Sequence, residues 1–309
     1  MLSARELPGA RESRRGVTLV ELLVVMTIGA VALGLVASIS VREQRIVADL
    51  ADGAALSGQL RDAAAVLPVD LRAVSAAAGD IREARDTSIE LRATIANAVV
   101  CDTAAHTLVL APPAPTAESF AGSSLPIDNG DSAWVLAVTD STESWLPTRI
   151  TSTKTQPAGQ CAAAGPWLSL STRAAPRIGI VVDASLPLAA MIGMPVRITR
   201  PLRLSLYRAS DNAWYLGERD WSTSSQKFNT IQPVSGPFLS AAAHGLFLRY
   251  QDSAGTPLAT PVSNTAAIAL IAVELRGQTR SAVRILGGAR TSGKRADSAM
   301  LSIAVRNRR

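Results

Sequence analysis

The sequence predicts an α+β protein: a long N-terminal helix, half transmembrane and half amphipathic, packed on a largely antiparallel β head. Three observations predict it. The stretch Val17–Val41 is apolar and carries a single charge, Glu21. Behind it, Ile46, Leu50, Ala54, Ser57, Leu60, Ala64, Leu67, Leu71 and Val74 recur every three or four residues, one face of a helix. From Ser88 the period becomes two, with Ile89, Leu91, Ala93 and Ile95 alternating with Glu90, Arg92 and Thr94, as in a half-buried strand. An apolar helix stripe and the apolar face of a sheet each need a partner layer, and each supplies the other's.

At 1.5 Å per residue the Val17–Val41 run makes a helix of roughly 37 Å, enough to cross a hydrocarbon core with some tilt. A charge at the centre of such a helix costs about 2.5–3.5 kcal/mol and one turn in from the interface less. Glu21 is therefore a functional candidate that needs a partner. Arg5, Arg11, Arg14 and Arg15 precede the run, so the positive-inside rule puts the N-terminus in the cytoplasm and the bulk of the chain outside. Two plainer readings compete: a secretory signal peptide with Ser38-Ile39-Ser40 as its exit, and a simple anchor. The acid inside the apolar core argues against the first.

The residues Arg14-Arg15-Gly16-Val17-Thr18-Leu19-Val20-Glu21 and the run after them resemble the class III leader of type IV pilins and type II secretion pseudopilins. The resemblance implies cleavage after Gly16 by a prepilin peptidase and methylation of the new terminus at Val17. It implies for Glu21 a role in assembling subunits into a filament. Val17 departs from the Phe most frequent at that position of the family. Cleavage would create a cation at Val17, able to meet a neighbour's Glu21 in lipid, and the pair is far cheaper to bury than either group alone. The organisation that follows is a leader over 1–16, a membrane helix over 17–41, its amphipathic extension over 42–79 and a periplasmic head over 80–309.

The net charge of +6 falls to +4 once the leader's four Arg and two Glu are gone, so basicity is weak ground for a nucleic-acid partner. The two cysteines, Cys101 and Cys161, read as a disulfide in an exported domain, with two buried thiols as the alternative.

Along the chain, Pro68 predicts a kink or break near Leu67, and Gly79 the end of the helix. Thr107–Leu110 is the expected hairpin partner of the strand before it. Further strands are expected at Trp134–Thr139, Trp167–Ser171, Ile178–Val182, Val196–Tyr207, Trp214–Leu216, Leu246–Tyr250, Ala267–Leu275 and Met300–Val305. In Asp128-Asn129-Gly130-Asp131 the oxygens could hold calcium, but the spacing of a known loop is missing and a plain turn fits better. Inside the membrane run, Ala30, Gly34 and Gly29 allow close helix approach.

Further matches extend the resemblance. Residues 246–255, LFLRYQDSAG, and 301–307, LSIAVRN, look like closing segments of the W-type minor pilins and J-type minor pseudopilins. Asp70-Leu71-Arg72 before Ala78-Gly79 is similar to their helix end. Residues of about 100–200 match nothing in that family.

No catalytic or cofactor constellation emerges. Gly288-Ala289-Arg290-Thr291-Ser292-Gly293-Lys294 fits a phosphate loop up to its Lys, but Arg295 stands where a metal-binding hydroxyl is needed, and a strand pattern follows. His106 and His244 are too few for zinc without carboxylates of known place. The cations Lys294, Arg295, Arg306, Arg308 and Arg309 have no aromatic past Tyr250 to stack a base, so a solvated face is the better reading. The sequence thus reads as a non-enzymatic minor subunit of a type IV pilus, with a type II secretion pseudopilus as the alternative machine and an anchored adhesin or enzyme as the alternative class. The implied partners are other pilin or pseudopilin subunits, the prepilin peptidase and the inner-membrane assembly platform.

Overall fold

Helix α1, Leu19–Ala73, is one continuous element. The computed structural model describes residues 17–111, 127–139, 142–157, 161, 177–183, 192–284 and 292–306. By packing these fall into two units, one ending at Gly53 and one starting at Ala54. In the first unit the apolar side chains of α1 are exposed all round, and the helix is long and apolar enough to cross a membrane. Its polar side chains bond locally: Thr27 and Ser38 donate their hydroxyls to the Val24 and Leu35 carbonyls, at 2.9 and 2.8 Å.

The second unit begins with the rest of α1. Leu56, Leu60, Ala63, Leu67 and Leu71 are buried, spaced three and four apart, and Val74 continues the stripe. Of the expected stripe, Leu60, Leu67, Leu71 and Val74 face the core. Ile46 and Leu50 are exposed, and Leu56 and Ala63 take the places expected of Ser57 and Ala64. Of the kink or break expected near Leu67, the break does not occur: the helix runs on through Pro68. A proline inside a helix costs about 3 kcal/mol, whereas burying one leucine stabilises by about 1.5–3 kcal/mol. Leu67 and Leu71, buried on either side, outweigh it.

Nor does the helix reach Gly79. It ends at Ala73, and Gly79, with φ +75°, closes a turn beyond it. In that turn the Ser75 N–H donates to the Asp80 carboxylate (2.7 Å) and the Asp80 N–H to the Ser75 carbonyl (3.1 Å).

The strands are β1 Ile81–Ala84, β2 Ser88–Ala104, β3 Thr107–Leu110, β4 Ser132–Thr139, β5 Thr142–Gln156, β6 Arg177–Val182, β7 Pro195–Arg208, β8 Trp214–Ser222, β9 Lys227–Phe228, β10 Gln232–Phe238, β11 Leu246–Gln251, β12 Pro257–Leu258, β13 Leu270–Gln278, β14 Val283–Arg284, β15 Ser292–Gly293 and β16 Ala296–Ala304. All their pairings among the described residues are antiparallel.

Two cores share this sheet. The order β1-β2-β7-β8-β10-β13-β11-β12, with β16 beyond β13, covers the helix. Ile81, Ile89, Leu91, Leu204, Leu216, Phe238, Leu248, Ile271, Val273, Leu275 and Ile303 pack there around Leu56–Val74. Tyr250 lies inside this core and donates its hydroxyl to the Arg85 carbonyl (2.8 Å). Burial pushes its phenol above the usual tyrosine range.

The second core is a small closed barrel. β2 pairs β3, β3 pairs β6, β6 pairs β5, β5 pairs β4, β4 pairs β7, and β7 returns to β2. Its interior holds Ile95, Val100, Leu108, Leu110, Val135, Ile150, Ile180, Val196 and Ile198. Strands β2 and β7 are long because they serve both cores. A bulge at Thr94–Ala96 re-aims β2, so that Ile89 and Leu91 face the helix while Ile95 and Val100 face the barrel.

Most expected strands stand, several with extended ends. The strand expected at Ala267–Leu275 starts later, at Leu270, after a 3-10 turn over Thr265–Ala267. The strand expected at Trp167–Ser171 lies outside the described residues. Strands β1, β5, β9, β10, β12, β14 and β15 are additional to those expected.

Candidate functional site

The start of α1 is built by its own first residues. Val17 and Thr18 precede the helix, and Thr18 is its N-cap. The Thr18 carbonyl accepts the Leu22 N–H (3.1 Å), and its hydroxyl accepts the Glu21 N–H (3.3 Å). A Thr cap with Glu at the third helical position is the capping-box spacing, which satisfies N–H groups that the helix leaves open at its first turn. Glu21 therefore stands in the first turn, exposed, where the helix dipole favours a negative charge. Gly16 lies outside the described residues. The role of Thr18 was legible as Thr-x-x-Glu, a signal hidden inside the longer leader motif.

The helix that follows offers partners a surface without charge. Leu19, Val20, Leu22, Leu23, Val24, Val25 and Met26 are all at least half exposed. A Cβ added at Gly29 or Gly34 would meet nothing within 4 Å, so the chain itself leaves both positions open to close approach.

The head contributes the other residues singled out above. Cys101 and Cys161 are joined in a disulfide, with Cα atoms 5.2 Å apart, and pack with Val109 in a small core of their own. The Asp128–Asp131 segment is a turn whose carboxylates are taken by Arg200, at 2.8 Å from Asp128 and 2.7 Å from Asp131. Asp131 is fully buried, and its hydrogen bonds hold the Arg200 guanidinium above its usual pKa. These oxygens are committed to a cation that the protein supplies.

His106 sits in the β2–β3 turn, and His244 stacks edge-on against Phe247, with ring centroids 4.7 Å apart. Among the described residues no group of three or more His, Cys, Asp or Glu is placed to hold a metal. Of the phosphate-loop candidate, residues 288–291 lie outside the described residues; Ser292 and Gly293 form β15, paired with β14, and β16 follows. Lys294, Arg295 and Arg306 are exposed, and Arg308 and Arg309 lie outside the described residues.

Residues 11–37 match the family described as the prokaryotic N-terminal methylation motif. No curated protein and no solved structure matches the chain. The match covers the start of α1, Thr18, Glu21 and both glycines. At its N-terminus, then, the chain carries the methylation motif of type IV prepilin-like proteins, the class that comprises pilins and pseudopilins, and this motif with the single apolar helix behind it fits inner-membrane anchoring.

Proposed function

We propose that the protein is a minor pilin of a type IV pilus, assembled through its N-terminal helix into the filament tip or priming complex. The precursor is cut after Gly16 by the prepilin peptidase, Val17 is methylated, and Glu21 pairs with a terminal amine as subunits enter the assembly. The head lies outside the cytoplasm, and other pilin subunits and the inner-membrane assembly platform are the partners. The observation that carries this reading is the methylation motif over residues 11–37, set on a helix whose first turn holds Glu21. The resemblance of residues 246–255 and 301–307 to W-type and J-type proteins supports a minor subunit. A minor pseudopilin shares every one of these features, and is the second reading.

Mass spectrometry of the N-terminal peptide tests processing. A methylated start at Val17 is expected, and an intact Met1 or a start at Val41 overturns the reading. Glu21→Ala tests assembly. The variant is cleaved and folded but no longer co-purifies with partner subunits; normal co-purification would end the role of Glu21. Deleting the gene then separates the machines, with loss of surface filaments marking the pilus and loss of protein secretion the pseudopilus.

A further inference from the structure

Strand β16 uses only one of its two sides. It pairs with β13 without a register shift, from Leu270↔Ala304 to Gln278↔Ala296. Just past the two ends, the Thr279 N–H donates to the Arg295 carbonyl and the Val305 N–H to the Ala269 carbonyl. Hydrogen-bonded pairs alternate along an antiparallel ladder, so the odd-numbered residues of β16 turn their backbone groups toward β13. Ala296, Ser298, Met300, Ser302 and Ala304 turn theirs the other way. The Asp297 carboxylate takes the Ser298 N–H at 2.8 Å. Among the described residues no strand pairs with this outer side, so the backbone groups of Met300, Ser302 and Ala304 form an open edge, which ends where the Arg306 N–H, on the same side, donates to the Val74 carbonyl (3.2 Å).

Natural edges are usually blunted by proline, lysine, a bulge or short length. This one is nine residues long, without proline, lysine or bulge, and its one charge, Asp297, lies near its start. Ala299, Leu301 and Ile303 anchor it to the core, while Met300 is 66 % exposed.

The flanking charges decide what can pair there. Lys294 and Arg295 precede the strand and Arg306 follows it, all exposed. In the antiparallel register that pairs all nine residues with a second copy, Lys294 falls opposite Arg306 at both ends. A parallel copy in register sets each cation against itself. Like charges directly opposite are destabilising. A segment with carboxylates at both ends meets opposite charges instead.

We infer that the free edge of β16 takes an extended segment of a different protein chain, acidic at both ends and uncharged between, which adds a strand to the sheet. Backbone hydrogen bonds supply the affinity and the end cations select the sequence. For that chain to be another subunit of the filament, the inference rests on the function proposed above; the chemistry of the edge does not.

The test uses the full chain in detergent and two labelled peptides, EETVTVTEE and KKTVTVTKK, followed by fluorescence polarisation. The acidic peptide is expected to bind about tenfold tighter or better, from opposite-charge contacts with the three flanking cations, and to slow hydrogen exchange at Met300, Ser302 and Ala304. Ser302→Pro removes one outward N–H and no bond to β13, as edge strands tolerate, and abolishes binding. Met300→Lys, at an exposed position, does the same by blunting the edge and decides the matter should the proline variant misfold. Arg295→Glu combined with Arg306→Glu transfers the preference to the basic peptide. Equal binding of the two peptides, or native binding by a folded Met300→Lys variant, overturns the inference. Self-association of the chain that Met300→Lys abolishes would assign the edge to a second copy, and overturns it too. No other subunit is present, so the outcome is independent of the assembly test on Glu21.

Discussion

The Arg197 guanidinium meets the Asp80 carboxylate at 2.6 Å, joining residues 117 apart where α1 hands over to the sheet. Asp80 is 1 % exposed and also holds the Ser75 N–H, while Arg92 donates to the Gly79 carbonyl and lies over the Trp134 ring. One carboxylate thus fixes the end of the helix to a strand shared by both cores.

Asp80→Ala leaves Arg197 without that partner and the Ser75 N–H open. Breaking one side of a buried pair costs about 3–5 kcal/mol, and the partial exposure of Arg197 places the loss at the lower end, about 3 kcal/mol. Asp80→Ala with Arg197→Met, which removes both charges, should lose clearly less. Denaturant unfolding of the head followed by tryptophan fluorescence checks it; equal losses in the two variants would refute the account.

Burial, then the charges of Asp70 and Asp220, push the Glu218 carboxyl above its ordinary value. Folding therefore tightens its hold on the proton. Ionising it weakens the fold as pH rises from the ordinary carboxylate pKa through the raised folded one. Glu218→Gln should melt higher than the native protein at pH 7, with the difference closing below the ordinary carboxylate pKa, at about pH 3, where the carboxyl is protonated in both states. A difference that persists unchanged at acid pH would show that packing, not charge, is responsible.

Replacing Cys101 and Cys161 together by Ser opens a loop closed across a sequence separation of 60. On the chain-entropy account this costs roughly 4 kcal/mol. The loss should fall on the barrel. Hydrogen exchange is expected to quicken in β3 and β6 well before β13, and uniform quickening would contradict the separation of the two cores.

Thr18→Ala removes the N-cap of α1 and Thr18→Ser keeps it. The alanine variant should fray the first helical turn, at a cost of about 1 kcal/mol, seen as faster amide exchange at Val20 and Glu21 in micelles. If Glu21 acts from a fixed place in that turn, Thr18→Ala also lowers co-purification with partner subunits, and Thr18→Ser does not.

The fold class was legible because its signals are local. The uncharged run of α1 and the alternation around Ile89, Leu204 and Leu248 each need only neighbouring residues to be read. The phase of the helix stripe slipped at Ser57 and Ala64, where abundant alanine marks no face by itself. Strands β5 and β10 were hidden by Pro147, Pro233 and Pro237 and by a run of Thr and Ser, which locally resemble loop. Closure of the barrel depends on β2 meeting β7, a pairing of distant residues that no local period encodes. At the candidate site, the Thr18–Glu21 spacing was visible, whereas the partners of Asp80 and Asp131, being arginines some seventy or more residues away, were not.

The four strands that complete the barrel, β3 to β6, leave β2 and return to β7 through paired residues, Val99 opposite Pro195, with the Val100 N–H on the Met194 carbonyl. Everything between departs from and rejoins the same rung of the ladder. Such a segment can lengthen, shorten or be exchanged for another without shifting the strands that grip α1. The freedom of this excursion to diverge follows from the adjacency of its two ends. A chain so constructed can keep the packing of α1 on its sheet while the surface of the barrel changes.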